Sequence, residues 1–226
     1  MRFARRLGSL ASMIISPGRS YIFVHIPKTG GTSLALALEE RAMKDDMMLG
    51  DTPKALKRRR KLKDVKAAGR LWKHSTLADI EGLVSRETVA DMLTVTLVRN
   101  PYDRLVSYYH WLREQSFEHP AVSVAKAADF SAFLQDPYIT HSLQTSPYGA
   151  YMRDGAGAEH PSLFIRLEHF EEDAAPLWEH LGFTLELPRV NASERDADYA
   201  QYYSADDAKR VAEICAEDIA RFGYDF

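Results

Sequence analysis

Tyr21-Ile22-Phe23-Val24-His25-Ile26-Pro27-Lys28-Thr29-Gly30-Gly31-Thr32-Ser33 is the stretch that decides the fold, because its character changes twice in a short run. The β-branched and aromatic residues up to Ile26 read as a buried strand ended by Pro27. Gly30-Gly31 then turns the chain, and Leu34 to Met43 is a helix-forming run. The same grammar recurs downstream. Leu93 to Val98 reads as a second apolar strand, after which Asn100 offers an N-cap and Pro101 suits the first position of a helix reaching Gln115. Leu163 to Leu167 reads as a third strand, followed by an acidic helix start at Glu168 and a helix to Leu181. Ser204 and Asp207 form an S-x-x-D cap for a last helix that ends near Gly223. Strands alternating with helices predict a mostly parallel α/β sheet. Ligands of such sheets sit at the carboxyl ends of the strands. Pro27–Ser33 and Arg99–Ser107 both begin there.

The chain of 226 residues is long enough for one domain with a real core, spanning 1–226. Residues 1–20 read as an N-terminal arm, and 44–90 as a helical, basic insertion. In the arm, Arg2, Arg5 and Arg6 precede Leu7–Ile15, an apolar stretch too short and too polar to span a bilayer. An amphipathic turn or a loose arm is expected there, with room for peripheral membrane association, and the first core strand is expected at Tyr21. No transmembrane segment is expected. The formal net charge of −3 gives no global attraction to nucleic acid, so anion recognition has to be local. Cys215 is the single cysteine, which excludes an intrachain disulfide and a cysteine-based zinc site and fits a cytoplasmic location. Between Lys54 and Lys73 ten Lys and Arg residues face the lone acid Asp64. That run is either a solvated basic face or a patch for an anionic acceptor such as an acidic glycan.

Pro27–Ser33 carries the strongest chemical signal. Glycines admit positive φ and remove the Cβ atoms that would hold a phosphate away. Successive amides and a helix N-terminus then make an anion-binding concavity. Lys28 adds a full charge, and Thr32 and Ser33 add hydroxyls. The loop is not a G-x-x-x-x-G-K-[ST] sequence, since Lys28 precedes Gly30-Gly31. Where a nucleoside triphosphatase ends its second strand in a metal-binding Asp, this chain has Leu97-Val98-Arg99. An arginine there repels a metal and suits a second phosphate. The reading is a phosphate site without a metal.

Arg99-Asn100-Pro101-Tyr102-Asp103-Arg104-Leu105-Val106-Ser107 completes the pattern, with Asn100, Asp103 and Ser107 close to one helix face. Taken together, Ile26–Ser33 and Val98–Ser107 resemble the motifs of sulfotransferases that use PAPS (3′-phosphoadenosine-5′-phosphosulfate). The similarity is to the carbohydrate O-sulfotransferase branch, with its heparan sulfate 2-O, chondroitin-type and bacterial members. It continues at Arg166-Leu167-Glu168, Leu187–Ser193 and Asp218–Phe226. The resemblance implies a P-loop-like three-layer fold with a central, mostly parallel sheet flanked by helices. It implies that Lys28, Thr29, Gly30, Gly31, Thr32 and Ser33 hold the 5′-phosphosulfate, and that Arg99 and Ser107 hold the 3′-phosphate. Arg195 is a further candidate for closing over the nucleotide.

Sulfuryl transfer is an in-line displacement, so the protein has to position the partners and neutralise charge. Lys28 is suited to stabilise the leaving 3′,5′-adenosine bisphosphate. A hydroxyl acceptor needs a base near the working pH, which favours His or Glu. By the resemblance, the inter-motif histidine His74 is that base. His25, at the strand end, is the competitor and otherwise a packed residue, while His110 reads as core. Tyr108, Tyr109 and Trp111 read as core before they read as a stacking platform. Gln144 and Tyr148 fall in a loop-like stretch open to an acceptor. Two other classes stay in view, a P-loop-like nucleotide kinase and a nucleotide-binding module without catalysis.

Overall fold

A computed structural model describes residues 10–188 and 198–226. In chain order the strands and helices begin with β1 (Ser12–Ser16), β2 (Tyr21–Val24), α1 (Gly31–Glu40), β3 (Met47–Gly50), α2 (Pro53–Arg58) and α3 (Arg86–Ala90). There follow β4 (Leu93–Val98), α4 (Pro101–Arg113), α5 (Pro120–Ala127), α6 (Phe130–Gln135), α7 (Pro137–Thr145) and β5 (Ser162–Arg166). The chain closes with α8 (Phe170–Asp173), α9 (Ala175–Leu181), α10 (Ala205–Ile214) and α11 (Ala216–Phe222).

The five strands form one sheet in the order β3-β1-β2-β4-β5. Its core is parallel, with Phe23 opposite Val95 and Val95 opposite Leu163. Its other side is antiparallel, because β1 pairs with both β2 and β3. The fold is therefore α/β, a mixed sheet with a parallel core flanked by helices. Alternation along each strand sends side chains to opposite faces. Ile14, Phe23, Val95, Leu97 and Ile165 meet Leu34 and Leu38 of α1 and Leu177 of α9 on one face. Met13, Ile15, Ile22 and Val24 meet Leu77, Ile80 and Val89 on the other. Each such fully buried aliphatic side chain is worth about 1.5–3 kcal/mol. A second core forms where α4 packs against α5, α6 and α10 through Leu105, Tyr109, Phe133 and Val211.

Three expectations change. The N-terminal arm expected over 1–20 contains β1, whose five residues are all buried, so this part of it is neither a loose arm nor an amphipathic turn. The helical insertion expected over 44–90 contains strand β3 and has only α2, one 3-10 turn (Arg59–Leu62) and α3 as helix. Pro53 at the start of α2 and Gly69 and Gly82 beyond it confine helix to these pieces. Gln144 lies in α7, and Tyr148 is wholly buried in a 3-10 turn, so Tyr148 is not an open acceptor contact. The caps follow the sequence. Asn100 accepts a hydrogen bond from the Tyr102 amide, and Ser204 and Asp207 form a reciprocal capping box. No helix among the described residues is long and apolar enough to cross a membrane.

Candidate active site

β2 and β4 are parallel neighbours, so the loops that leave them emerge side by side. From β2 the chain runs through buried His25 and Ile26 into the turn Pro27–Gly30. Lys28 has φ 66° and Gly30 has φ 83°, both left-handed. For a lysine this conformation costs on the order of 1–2 kcal/mol, and strain of this kind gathers at ligand sites. Thr29 lies wholly inside, where its hydroxyl donates to the Ile26 carbonyl at 3.0 Å. Its side chain shapes the loop from within. Thr32 and Ser33 are half-buried in the first turn of α1.

Gly31 is required by packing. A Cβ there would lie 2.4 Å from His25 Cδ2 and 3.3 Å from Phe23 Cζ. Gly31→Ala must push the buried ring aside, and we expect it to cost about 1–3 kcal/mol of stability. Thermal denaturation checks the loss, and imidazole NMR of His74, which is bonded to the His25 carbonyl, should change with it. An unchanged melting temperature would mean that the ring yields freely.

The second motif leaves β4. Arg99 donates through Nε to Asp103 Oδ2 at 2.8 Å and pairs with the same carboxylate through Nη2. Its Nη1 lies 3.5 Å from the Lys28 carbonyl. Arg104, one turn into α4, donates through Nε to the Pro27 carbonyl at 3.0 Å. Lys28 Nζ sits 5.6 Å over the Trp111 ring, farther along the same helix. The two motifs, distant in sequence, thus form one site through Pro27, Lys28, Arg99, Arg104 and Trp111. Ser107 is 5% exposed and makes no side-chain hydrogen bond among the described residues. The Asn100 side chain donates to the Asp225 carbonyl at 2.8 Å, and the Asn100 amide donates to Glu168 Oε1 at 2.7 Å. Arg195 lies outside the described residues.

His74 joins the site from the segment between α2 and α3. Its Nδ1 is 2.8 Å from the His25 carbonyl. A carbonyl only accepts, so Nδ1 carries the proton and Nε2 keeps its lone pair. The His25 ring is 4.8 Å from that of His74, and the Trp72 edge closes at 5.0 Å. Burial is the chief cause that lowers the His74 pKa to about 4. The bond to His25 opposes this, while Lys73 and Arg104 add to it. His25 is more deeply buried, its pKa is likewise well lowered by burial, and its Nδ1 has no hydrogen-bond partner among the described residues. His25 is thus a packed ring behind the loop, and its carbonyl fixes the tautomer of His74. Tyr109 lies in the second core, as expected, with Tyr108 and Trp111 packed against it.

Sequence reading overlooked Arg104 and undervalued Tyr148. Tyr148 donates through its hydroxyl to the Arg99 carbonyl at 2.5 Å, and its ring lies 4.8 Å from the Arg104 guanidinium. Arg104 had a signal, since it stands four residues after Asn100 and three before Ser107. Tyr148 had none.

The chain is thus an α/β protein in which a left-handed lysine turn and two arginines gather at adjacent parallel strand ends, where ligands of such sheets bind. The model of the sulfotransferase family matches residues 11–225, and the chain belongs to that family. Among solved structures it is similar to mouse sulfotransferase SULT7A1 complexed with PAP, at 16% identity and a TM-score of 0.43, over 88% of this chain and 82% of that one. No curated protein matches.

Proposed function

We propose that this protein transfers the sulfuryl group of PAPS to an acceptor hydroxyl, on a carbohydrate, by metal-independent in-line displacement. The observation that carries the reading is the joining of the two anion motifs. Arg99 reaches the Lys28 carbonyl, Arg104 bonds the Pro27 carbonyl, and His74 is held by the carbonyl of His25. Family membership supports the class of reaction.

The donor supplies an activated sulfuryl group. In the proposed reaction Lys28, the loop amides and the hydroxyls of Thr32 and Ser33 bind its 5′ end, while Arg99 and Ser107 bind the 3′-phosphate. His74 Nε2 takes the acceptor's hydroxyl proton as its oxygen bonds to sulfur. Lys28 neutralises the charge left on the oxygen whose bond to sulfur breaks, and 3′,5′-adenosine bisphosphate (PAP) departs. Arg195 is a further candidate for the nucleotide. For the acceptor, Lys57, Arg59, Arg60, Lys63 and Lys66 remain exposed and favour an anionic glycan. Lys54, Arg58 and Lys73 are engaged with Glu39, Met43, Asp46 and Asp51. The proposed location is the cytoplasm.

Thermal shift tests the donor. Saturating PAP in EDTA is expected to raise Tm by about 5–10 °C, and ATP with Mg²⁺ by little. The reverse order would favour the nucleotide kinase and overturn this reading.

A further inference from the structure

The second motif contains two arginines with different commitments. Arg99 has an internal counter-ion, Asp103, on two of its nitrogens. Arg104 has none. Among the described residues its guanidinium makes one hydrogen bond, from Nε to the Pro27 carbonyl. Nη1 and Nη2 are unused, yet they are not sealed from solvent. The guanidinium is nonetheless held, with its Cζ 4.8 Å over the wholly buried Tyr148 ring. Tyr148 is itself anchored, by its hydroxyl on the Arg99 carbonyl and by its amide on Asp218 Oδ1 at 2.9 Å.

A half-buried cation with no carboxylate in contact is costly. An arginine held rigidly with two donors open is the arrangement that binds a planar or tetrahedral oxyanion. The held nitrogen bonds the residue immediately before Lys28, at the loop assigned to the donor's 5′ end. The group is also near enough to His74 to lower its proton affinity. We infer that Arg104 is a binding residue for the donor's 5′-terminal anion, placed between the loop lysine and His74, and that the anion in contact with its open nitrogens arrives with the ligand. This rests on the PAPS reading above.

Isothermal titration with two probes tests it. PAP carries both phosphates, and adenosine 3′-monophosphate lacks the 5′ group. Arg104→Met is expected to weaken PAP binding about 10–100-fold and to leave the 3′-monophosphate within about twofold of wild type. Arg104→Lys, which keeps the charge but not the fork, is expected to lose about tenfold for PAP alone while melting close to wild type. It decides the matter if Arg104→Met does not fold. Equal losses for both probes together with a fallen melting temperature would make Arg104 a structural prop and overturn the inference. So would unchanged PAP binding with a raised acceptor KM, which assigns the guanidinium to an anion on the acceptor. A wild-type protein that binds neither probe would instead remove the donor reading itself.

Discussion

Replacing His74 by alanine is expected to lower kcat by about 10²–10⁴-fold while leaving the Kd for PAP unchanged. The expectation follows from geometry. Nδ1 is committed to the His25 carbonyl, so only Nε2 can accept a proton. Its pH dependence has a definite sign. Protonation silences the base, and burial lowers its pKa to about 4. The acid limb of kcat/KM, which reports the free enzyme, should therefore lie near 4, with a flat profile through neutrality. The limb of kcat should lie higher, because a bound multiply charged anion favours the imidazolium. Steady-state rates from pH 4 to 8 check both. Transfer unaffected by His74→Ala, with PAP still bound, would remove His74 from the chemistry.

Lys28→Met is expected to cut kcat about 10²–10³-fold and to weaken PAP binding as well. The backbone at Lys28 is left-handed, and its ammonium lies over Trp111. Lys28→Arg should recover part of the binding but little of kcat, because a planar fork cannot occupy the place of a compact ammonium. Titration separates binding from single-turnover transfer. If Lys28→Met binds weakly but turns over normally once saturated, the lysine serves affinity alone and its place at the leaving oxygen is refuted.

The parallel half of the sheet was legible because its strands are apolar runs bounded by proline, glycine and asparagine. Tyr21–Val24, Leu93–Val98 and Ser162–Arg166 all lie within two residues of where the sequence put them. The antiparallel half was not. In β1 the polar ends Ser12 and Ser16 mask a strand that is buried throughout, and Ser12 is reconciled with burial by donating to the Glu39 carboxylate. Thr52 donates to the same carboxylate at 2.8 Å, a three-way contact that no local pattern announces. β3 is only Met47 to Gly50, with two methionines in place of β-branched residues. The basic composition from Lys54 onward suggested helix, but only six residues of α2 form one before a 3-10 turn.

At the site, residue types and order were legible while partnerships were not. Lys28, Arg99 and His74 could be picked out because each belongs to a recognisable run. Arg104 and Tyr148 gain meaning only when Pro27 and Arg99 are beside them in space. Thr29 shows the converse, a motif hydroxyl spent on the carbonyl of Ile26.

The mixed sheet also sets an order of assembly. β1 and β2 are joined by the short turn Pro17–Ser20, so their pairing closes a small loop at little entropic cost. β2 meets β4 only after the chain has travelled from Val24 to Leu93, and non-local pairings of this kind form late. The two loops of the candidate site, after Val24 and after Val98, both leave this junction. A partly folded chain can own the hairpin and the first loop yet hold no complete site. On the proposed reading, a bound nucleotide would bridge segments far apart in sequence and so hold the finished junction together.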